Sequence, residues 1–404
     1  MKLKNKKIKK CLLCYNPKLK KIYSLGNLYV SNFVNEKNIK NSPKCPLILM
    51  FCKKCHLLQL SHIAPQELMY KRFYWYRSGV TETMINGLKN IYLSSKKYIN
   101  LKKNDVVLDI GANDGTLLKF FKKECITIGC EPANNLITKL KKNTHHIIHN
   151  FWSKKNAHKI IQKNKLSKPK LITAIGMFYD LEDPNQFIKD AADTLHDEGI
   201  FIAQLMCLKS MIDKNDVGNI CHEHLEFYSL KSLKYLFENN GLEIFKIEEN
   251  NINGGSYRIF CRKYKSGSIK LRETNVLNSI KKFVSRIKRN KETTVRFIKK
   301  AIQDNKKIFL YGASTKGNTV LQYYGITKKE IPFAAERSKE KFNKFTVGSG
   351  IKIISEKKAR KLNPDYFFIT PWGFVKEFVK REKNWLKNKG TFILPFPNFK
   401  LIKK

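Results

Sequence analysis

The sequence lacks any stretch of about 20 uninterrupted apolar residues, so it predicts no transmembrane helix. Residues 1–10 are mostly basic and lead into Cys11-Leu-Leu-Cys14 instead of an apolar segment, which argues against a secretory signal and predicts a cytoplasmic protein. Acidic residues are scarce, since 33 Asp and Glu stand against 79 Lys and Arg, a net charge of +46. Hydrophobic residues still make up 42% of the chain, which excludes wholesale disorder.

The positive charge has two interpretations. A basic stripe with interleaved aromatic residues would indicate binding to nucleic acid. Here the lysines are spread through nearly every segment, a distribution that AT-rich codon usage also produces, so no nucleic-acid partner is expected. The positive electrostatic field of the protein would still attract anionic substrates such as nucleotide diphosphates.

At 404 residues the chain suits two or three domains, and its oligomeric state is left open.

Ten cysteines without an export signal indicate free thiols and metal binding. Cys11-x-x-Cys14 and Cys52-x-x-Cys55 each present two thiolates on a tight turn, and two such turns complete a tetrahedral Zn²⁺ site. Four thiolates leave no position for a catalytic water, so this zinc is expected to be structural. The long separation leaves two alternatives open: Cys45 as a ligand, or two unrelated pairs. Four other cysteines lie in apolar runs and are expected in the core: Cys125, Cys130, Cys207 and Cys261.

The run Val106-Val-Leu-Asp-Ile-Gly-Ala-Asn-Asp-Gly115 predicts a buried strand, a glycine turn and a helix. Glu131 follows about 20 positions after the turn, at the end of the next predicted strand, where an acid suits ribose hydroxyls. The turn lacks the third glycine that serves a pyrophosphate in G-x-G-x-x-G. A nucleoside without phosphate, S-adenosylmethionine, is therefore favoured over an ordinary strand–turn–helix. Candidate cofactor contacts are Asp109, Gly111, Asn113, Gly115, Glu131, Gly176, Met177 and Phe178.

The segment Cys221-His-Glu-His-Leu-Glu-Phe-Tyr-Ser229 follows the fifth predicted strand of the same domain. Its histidines are two positions apart and cannot share a face as they do in H-E-x-x-H, which disfavours a zinc hydrolase. An imidazole beside a carboxylate suits general acid–base catalysis. The candidate catalytic residues here are His222, Glu223 and His224, and a structural role is the alternative for each histidine taken alone.

Three other turns are candidates for ligand contacts. Gly176-Met-Phe-Tyr-Asp180 ends the fourth predicted strand, and a plain strand-to-helix turn is the alternative there. Asn253-Gly-Gly-Ser-Tyr-Arg258 would bring Arg258 to a phosphate or sugar, or form only a hairpin loop. Gly312-Ala-Ser-Thr-Lys-Gly317 carries Lys316 into a helix N-terminus that favours a diphosphate, with a packing role as the alternative.

Strand and helix patterns alternate through residues 101–265, which predicts a mostly parallel sheet. Strands are expected near 106–110, 126–130, 145–149, 171–175 and 199–205, with an antiparallel pair at 243–248 and 257–262. Residues 268–305 are expected to form one long charged helix. A second α/β unit opens at Ile308-Phe-Leu-Tyr311, with later strands near 366–369 and 391–394.

These motifs, in this order, resemble the sugar C-methyltransferases, enzymes that methylate a carbon of a nucleotide-bound keto-deoxysugar. The resemblance covers almost the whole chain. Its motifs are Cys52-Lys-Lys-Cys-His-Leu-Leu-Gln-Leu60, Leu108-Asp-Ile-Gly-Ala-Asn-Asp-Gly-Thr-Leu-Leu118, Cys130-Glu-Pro-Ala-Asn-Asn135, His222-Glu-His-Leu-Glu-Phe-Tyr-Ser229, Gly254-Gly-Ser-Tyr-Arg258, Tyr311-Gly-Ala-Ser-Thr-Lys-Gly-Asn318 and Pro364-Asp-Tyr366.

The resemblance implies an α/β chain of three parts. Residues 1–70 would be a small zinc-binding module and residues 71–265 a class I Rossmann-like S-adenosylmethionine-dependent methyltransferase domain. Residues 266–404 would be a helical connector and a second, smaller Rossmann-like domain, with a nucleotide sugar in the cleft between the last two. His224 would be the base and Glu223 would assist it, while Tyr76 lies in a segment that the family uses near the substrate.

Several residues depart from the family pattern. Cys221 stands where the family usually has tyrosine, Gly176-Met-Phe-Tyr-Asp180 replaces Asn-Val-Phe-Ala-His, and Gln204 replaces a common glutamate. The departures lie on the substrate side, so the sugar and the accepting atom are left open. The candidate substrate contacts are Asp180, Cys221, Arg258 and Lys316. An O-methyltransferase of a surface-polysaccharide precursor is the alternative, and a nucleic-acid methyltransferase is disfavoured because no Asn/Asp-Pro-Pro-Tyr/Phe motif occurs.

Overall fold

The N-terminal part of the computed structural model is built on antiparallel strands. Residues 5–65, 67–71, 74–273 and 275–403 are described. The first strands are β1 (Lys6–Lys7), β2 (Leu19–Tyr29), β3 (Phe33–Val34), β4 (Lys44–Cys52), β5 (Leu58–Leu60) and β6 (His62–Ile63). In β4, alternate residues such as Leu47 and Leu49 are buried, because one face of this sheet packs on the core.

The middle of the chain alternates strands and helices around one sheet. Its elements are α1 (Glu82–Ser95), β7 (Val106–Ile110), α2 (Thr116–Phe121), β8 (Ile126–Cys130), α3 (Ile137–Asn143), β9 (His146–Ile148), α4 (Lys154–Lys163), β10 (Leu171–Ile175), α5 (Pro184–Thr194), β11 (Ile200–Met206), α6 (Leu208–Asp213), β12 (Glu226–Phe227), α7 (Leu230–Glu238), β13 (Leu242–Asn250) and β14 (Ser256–Lys263). The five predicted parallel strands and the antiparallel pair are all present.

The order of strands in this sheet is β13-β14-β11-β10-β7-β8-β9, and β14 alone runs against the others. Every residue of β7 is buried, because helices cover both faces of the sheet. From β7 the chain continues to β8 and β9 on one side of the sheet, and then returns to add β10 and β11 on the other side of β7. In an open α/β sheet, ligands bind beyond the carboxyl ends of the strands at such a switch point.

The last part of the chain forms a second α/β layer. Its elements are α8 (Val276–Gln303), β15 (Ile308–Tyr311), α9 (Thr315–Tyr324), β16 (Phe333–Glu336), β17 (Phe345–Thr346), β18 (Lys352–Ser355), α10 (Glu356–Lys361), β19 (Tyr366–Ile369), α11 (Val375–Arg381), α12 (Lys383–Lys387), β20 (Thr391–Leu394) and β21 (Lys400–Ile402). Strands β18, β16, β15, β19 and β20 are parallel neighbours.

The long helix is shorter than its predicted range of 268–305. It begins at Val276 because Asn275 has a φ of +53°, a left-handed conformation that cannot continue a right-handed helix. Once begun, the helix buries one face through Ile280, Phe283 and Ile287. The predicted spacing of apolar residues is therefore confirmed, and the predicted start is wrong.

Short strands pair with each other across the borders between the three parts. β3 of the N-terminal part pairs with β17 of the last sheet, and β12 of the middle part pairs with β5. One hydrophobic core joins Leu49, Ile212, Ile280 and Ile353, residues of all three parts. The division at 1–70, 71–265 and 266–404 stays a prediction. Among the described helices, none has the length and apolar character needed to cross a membrane.

Candidate active site

The paired cysteines come together at one end of the N-terminal sheet. The four sulfur atoms of Cys11, Cys14, Cys52 and Cys55 lie within 4.8 Å of one another. The Sγ–Sγ distances are 3.4 Å for Cys11–Cys55 and 3.4 Å for Cys14–Cys52. A tetrahedral Zn²⁺ with Zn–S bonds of about 2.3 Å requires sulfurs about 3.8 Å apart, so the cluster fits zinc with a small expansion. Cys45 is buried outside this cluster, so it is not a fifth candidate ligand.

The glycine turn after β7 forms a tight passage beside Met177. Gly111 has a φ of +70°, and a Cβ at this position would lie 2.7 Å from Cγ of Met177. Only glycine therefore lets the backbone pass here without displacing that side chain. The N–H groups of Gly111 and Ala112 both donate to the carbonyl of Cys130, at 2.9 and 3.0 Å. These bonds hold the turn against the end of β8.

The carboxylate of Glu131 is held beside the same turn by two main-chain hydrogen bonds. Its Oε2 accepts from the N–H of Asn113 at 2.8 Å, and its Oε1 accepts from the N–H of Ala133 at 2.9 Å. A carboxylate has about four lone-pair positions, so each oxygen retains one for a ribose hydroxyl. Burial raises the pKa of Glu131, while the two main-chain donors oppose that effect. The acid, the turn and Met177 together fit a nucleoside such as S-adenosylmethionine.

A cavity of about 550 Å³ joins this turn to the last α/β layer. Small-molecule sites usually measure about 300–1,000 Å³. The cavity wall includes these candidate residues: Tyr76, Gly111, Asn113, Glu131, Gly176, Met177, Asp180, Glu223, His224 and Lys316. The structure thus brings cofactor, catalytic and substrate candidates into one space at the predicted switch point.

His224 is held at the centre of the cavity wall by its neighbours. Its Nδ1–H donates to the carbonyl of Asn219 at 2.8 Å, and its ring packs edge-on to Tyr179 with centroids 4.5 Å apart. This bond fixes the proton on Nδ1, so Nε2 carries the free lone pair. Burial, and then the charge of Lys316, hold the pKa of His224 well below its usual value. The imidazole is therefore neutral near pH 7, with Nε2 unprotonated.

Glu223 links His224 to the last α/β layer. The Oε2 atom of Glu223 accepts from the hydroxyl of Thr315 at 2.9 Å. A carboxylate oxygen of Glu223 and a ring nitrogen of His224 lie within 4.8 Å of each other, and Sγ of Cys221 lies within the same distance of both. Lys316 donates to Oδ1 of Asn219 at 3.1 Å, so the asparagine that orients the imidazole also binds the cation. The motif is thus braced from the C-terminal side.

The loop after β10 carries Asp180 into the same space. The main-chain carbonyl of Tyr179 accepts from the N–H groups of Leu225 and Glu226, at 2.8 and 3.1 Å, and ties this loop to the histidine motif. Asp180 lines the cavity, and its buried Oδ1 has no hydrogen-bond partner among the described residues. Removal from water, and then the charge of Glu223, hold the pKa of Asp180 well above its usual value.

His222 is not brought to the cavity. Its Nε2–H donates to the carbonyl of Cys45 at 2.8 Å, and the side chain is only 2% exposed. Burial lowers the pKa of His222 to about 4. The adjacent Cys221 is also absent from the cavity lining, with its Sγ 4.0 Å from Oε2 of Glu223. The geometry assigns His222 a structural bond to β4.

Arg258 and three cofactor candidates also lie behind the cavity wall. The guanidinium Nε of Arg258 donates to Oε1 of Gln204 at 3.0 Å, and Gln204 itself lines the cavity. Asp109 accepts from the hydroxyl of Thr173 at 2.6 Å, and burial raises its pKa to about 7. Phe178 is fully buried against other aromatic rings, and Gly115 caps α2. These side chains support the site without facing it.

Several wall residues were not anticipated. They follow the carboxyl ends of strands in the last sheet, or belong to the segment before α1: Tyr70, Tyr74, Trp75, Ser314, Thr315, Thr370, Trp372 and Phe374. The run Thr370-Pro-Trp-Gly-Phe374 directly follows a predicted strand, and that position was the available signal. The aromatic side chains among these residues make that part of the cavity wall largely apolar.

Three family models match successive parts of the chain: a zinc binding domain at residues 11–70, a methyltransferase domain at 86–247 and a C-methyltransferase C-terminal domain at 251–397. The C-methyltransferase NovU of Streptomyces niveus is 24% identical over 410 residues, which cover 98% of this chain and 97% of NovU. The chain is thus similar to C-methyltransferases over almost its whole length. It is an S-adenosylmethionine-dependent methyltransferase with a four-cysteine zinc-binding module.

Two solved structures resemble part of this C-methyltransferase. The PH0226 protein of Pyrococcus horikoshii is 14% identical and covers 47% of this chain and 95% of its own, with a TM-score of 0.37. The magnesium protoporphyrin IX methyltransferase of Synechocystis, solved with bound S-adenosylmethionine, is 10% identical and covers 45% of this chain and 79% of its own, with a TM-score of 0.32.

Proposed function

We propose that this C-methyltransferase adds a methyl group to a carbon of a nucleotide-linked keto-deoxysugar, with His224 as the base. Bound S-adenosylmethionine supplies an electrophilic methyl group. The observation that carries the proposal is the position of His224, which lines the same cavity as the Glu131 turn and whose Nδ1 bond leaves Nε2 unprotonated. A carbon acceptor needs such a base, because a C–H bond must lose its proton before the carbon can attack.

The donor side of the cavity is formed by the middle domain. Glu131 would accept hydrogen bonds from the ribose hydroxyls, and the backbone at Gly111 would lie against the methionine part. Asn113 contributes its N–H to Glu131 and accepts at Oδ1 from the N–H of Ser78 at 3.0 Å, so the segment before α1 closes over the turn. Holding two reactants in such a geometry contributes about 7–11 kcal/mol toward the barrier in well-oriented systems.

The acceptor side supports proton removal next to a ketone. Nε2 of His224 would take the proton, and the imidazolium so formed would strengthen its bond to the Asn219 carbonyl. Ionised Glu223, close to the ring, would stabilise that positive charge. Lys316 borders the same space from the last domain and would attract the phosphate groups of a nucleotide carrier. The ten free thiols fit a reducing compartment such as the cytoplasm.

The proposal is tested with tritiated-methyl transfer from S-adenosylmethionine to a panel of nucleotide-linked 4-keto sugars. We expect label in at least one keto sugar and none in the corresponding 4-hydroxy sugars, which have no activated C–H. The His224→Asn variant serves as the inactive reference. Equal labelling of keto and hydroxy sugars, or labelling that persists in the variant, contradicts the role of the base.

A further inference from the structure

Two carboxyl groups border the acceptor side of the cavity, and their surroundings differ. Glu223 accepts a hydrogen bond from the hydroxyl of Thr315 at 2.9 Å. Asp180 has no hydrogen-bond donor within bonding distance of its buried Oδ1 among the described residues. An unpartnered carboxyl oxygen shielded from water is costly when ionised and much less costly when neutral.

The two groups also repel each other when both are charged. The charge of Glu223 is the second cause, after loss of solvent, that raises the pKa of Asp180. Lys316 opposes the rise in pKa at both carboxyls. A hydrogen bond with Tyr70 opposes it at Asp180 less strongly than Lys316 does, whereas the Thr315 bond opposes it at Glu223 more strongly than Lys316 does. Like-charged carboxyls sharing one site retain one proton between them. The carboxyl whose anion is less stabilised keeps the proton.

The other titratable groups around Asp180 do not supply a second cation. They are Tyr70, Tyr74, Tyr179, Cys221 and Glu226, and burial raises the pKa of each, which disfavours a negative charge on any of them. The Tyr70 hydroxyl donates its proton to the main-chain carbonyl of Glu223 at 2.8 Å. Among the described groups that act on Asp180, Lys316 is therefore the cation and Glu223 the competing carboxyl.

We propose that Asp180 keeps its proton and donates it as a hydrogen bond to the carbonyl oxygen of the acceptor, while Glu223 is the ionised partner of His224. This inference rests on the proposed function, because it assigns the group that stabilises the enolate oxygen. When His224 removes the proton from carbon, negative charge develops on that oxygen. A neutral acid facing it strengthens its hydrogen bond as the charge grows, so it stabilises the transition state more than the bound ketone.

The first test shows which carboxyl carries the proton, and it needs no sugar substrate. Infrared difference spectra of the zinc-loaded enzyme during a titration from pH 6 upward should show a carboxylic acid C=O band that disappears at alkaline pH. One component of this band should be missing in Asp180→Asn and retained in Glu223→Gln, while the contribution of other buried carboxyls such as Asp109 stays in both variants. Asp213→Asn is the matched control, since Asp213 is an exposed carboxylate paired with Lys209 at 3.3 Å. Loss of that component in Glu223→Gln but not in Asp180→Asn overturns the assignment.

The second test uses thymidine diphosphate-4-keto-6-deoxyglucose as the acceptor probe. Asp180→Ala should lower turnover by about 10²–10³, the usual loss on removing one donor to an oxyanion. Asp180→Asn keeps an N–H donor and should lose less, and its kcat/KM should no longer fall at alkaline pH as that of the wild type does. A purely structural role would leave the alkaline limb in place, and that result overturns the proposal.

The two tests fail in different ways. If the wild-type enzyme methylates no keto sugar, the proposed function fails, and the infrared bands still decide which carboxyl carries the proton. If methylation proceeds and the alkaline limb persists in Asp180→Asn, the proposed function stands and the role of Asp180 is refuted.

Discussion

The Nδ1–H of His224 donates to the main-chain carbonyl of Asn219 at 2.8 Å, and this one bond determines which nitrogen of the imidazole is free. The side chain of the same asparagine accepts from Lys316, a residue of α9 in the last domain. His224, the proposed base, is therefore oriented by a residue of the middle part of the chain, which in turn is bound by a residue of the last part. A change in how these two parts contact each other would alter the base directly.

Replacing His224 with Asn removes the proton acceptor while keeping a polar side chain. Turnover should fall by about 10²–10⁴, the range of general-base contributions. Binding of S-adenosylmethionine, measured by calorimetry, should stay within about threefold, because Glu131 and the Gly111 turn are untouched. His149→Asn, an exposed histidine bonded to Asn134 at 3.1 Å, is the surface control. Turnover near the wild-type value in His224→Asn would remove this residue from the reaction.

His222 should control stability instead of catalysis. Its pKa is about 4 in the folded chain and 6.5 in the unfolded chain, so the unfolded state binds more protons between these values and stability rises with pH. The contribution is complete above pH 6.5 and is lost as the pH falls toward 4. Between pH 7.5 and pH 5 the free energy of unfolding should drop by about 2 kcal/mol more in the wild type than in His222→Asn. Urea titrations at both pH values measure the free energy of unfolding. An equal drop in the wild type and in His222→Asn would contradict the prediction.

Glu131 should determine affinity for the methyl donor. Glu131→Ala deletes the acceptor for the ribose and releases the N–H groups of Asn113 and Ala133. Hydrogen bonds to a charged group contribute about 1.5–3 kcal/mol, which corresponds to a Kd raised about 10–100-fold. Calorimetry with S-adenosylmethionine and its demethylated product tests this. The exposed Glu198→Ala variant is the control, and unchanged affinity in Glu131→Ala would place the nucleoside elsewhere.

The zinc-binding cluster should act on stability alone, because four thiolates fill the tetrahedral shell. An enzyme loaded with Cd²⁺ or Co²⁺ should keep kcat within about twofold, since geometry is retained and the metal touches no substrate. Cys52→Ser, which removes one ligand, should lower the thermal midpoint by about 10 °C or more. A tenfold change of kcat on metal exchange at constant fold would show that the metal participates in the reaction.

Features encoded within short stretches were predictable from the sequence. The glycine turn and Glu131 lie about 20 residues apart in one β–turn–α–β unit, so their proximity follows from the parallel sheet. The cysteine pairs were predictable for a similar reason, because each pair is local and tetrahedral thiolate sites need two of them. Apolar spacing along α8 likewise predicted its buried face.

Contacts between distant segments were not predictable. His222 bonds to the carbonyl of Cys45, a residue 177 positions away, whereas His224 bonds to the carbonyl of Asn219, five positions away. Arg258 reaches Gln204 and Glu248 instead of the cavity, because β14 lies between β11 and β13 and turns that side chain toward its sheet neighbours. The strands β3 and β12 have two residues each, too few to carry a periodic pattern.

The central claim is methylation of carbon by a base-assisted reaction. Its most direct test is NMR of the product formed from ¹³C-methyl S-adenosylmethionine and thymidine diphosphate-4-keto-6-deoxyglucose. The account predicts a ¹³C-methyl signal coupled to the sugar carbon next to the former ketone, with no proton remaining where His224 removed one. A methyl signal at the chemical shift of a methyl ether, attached through oxygen, would contradict it.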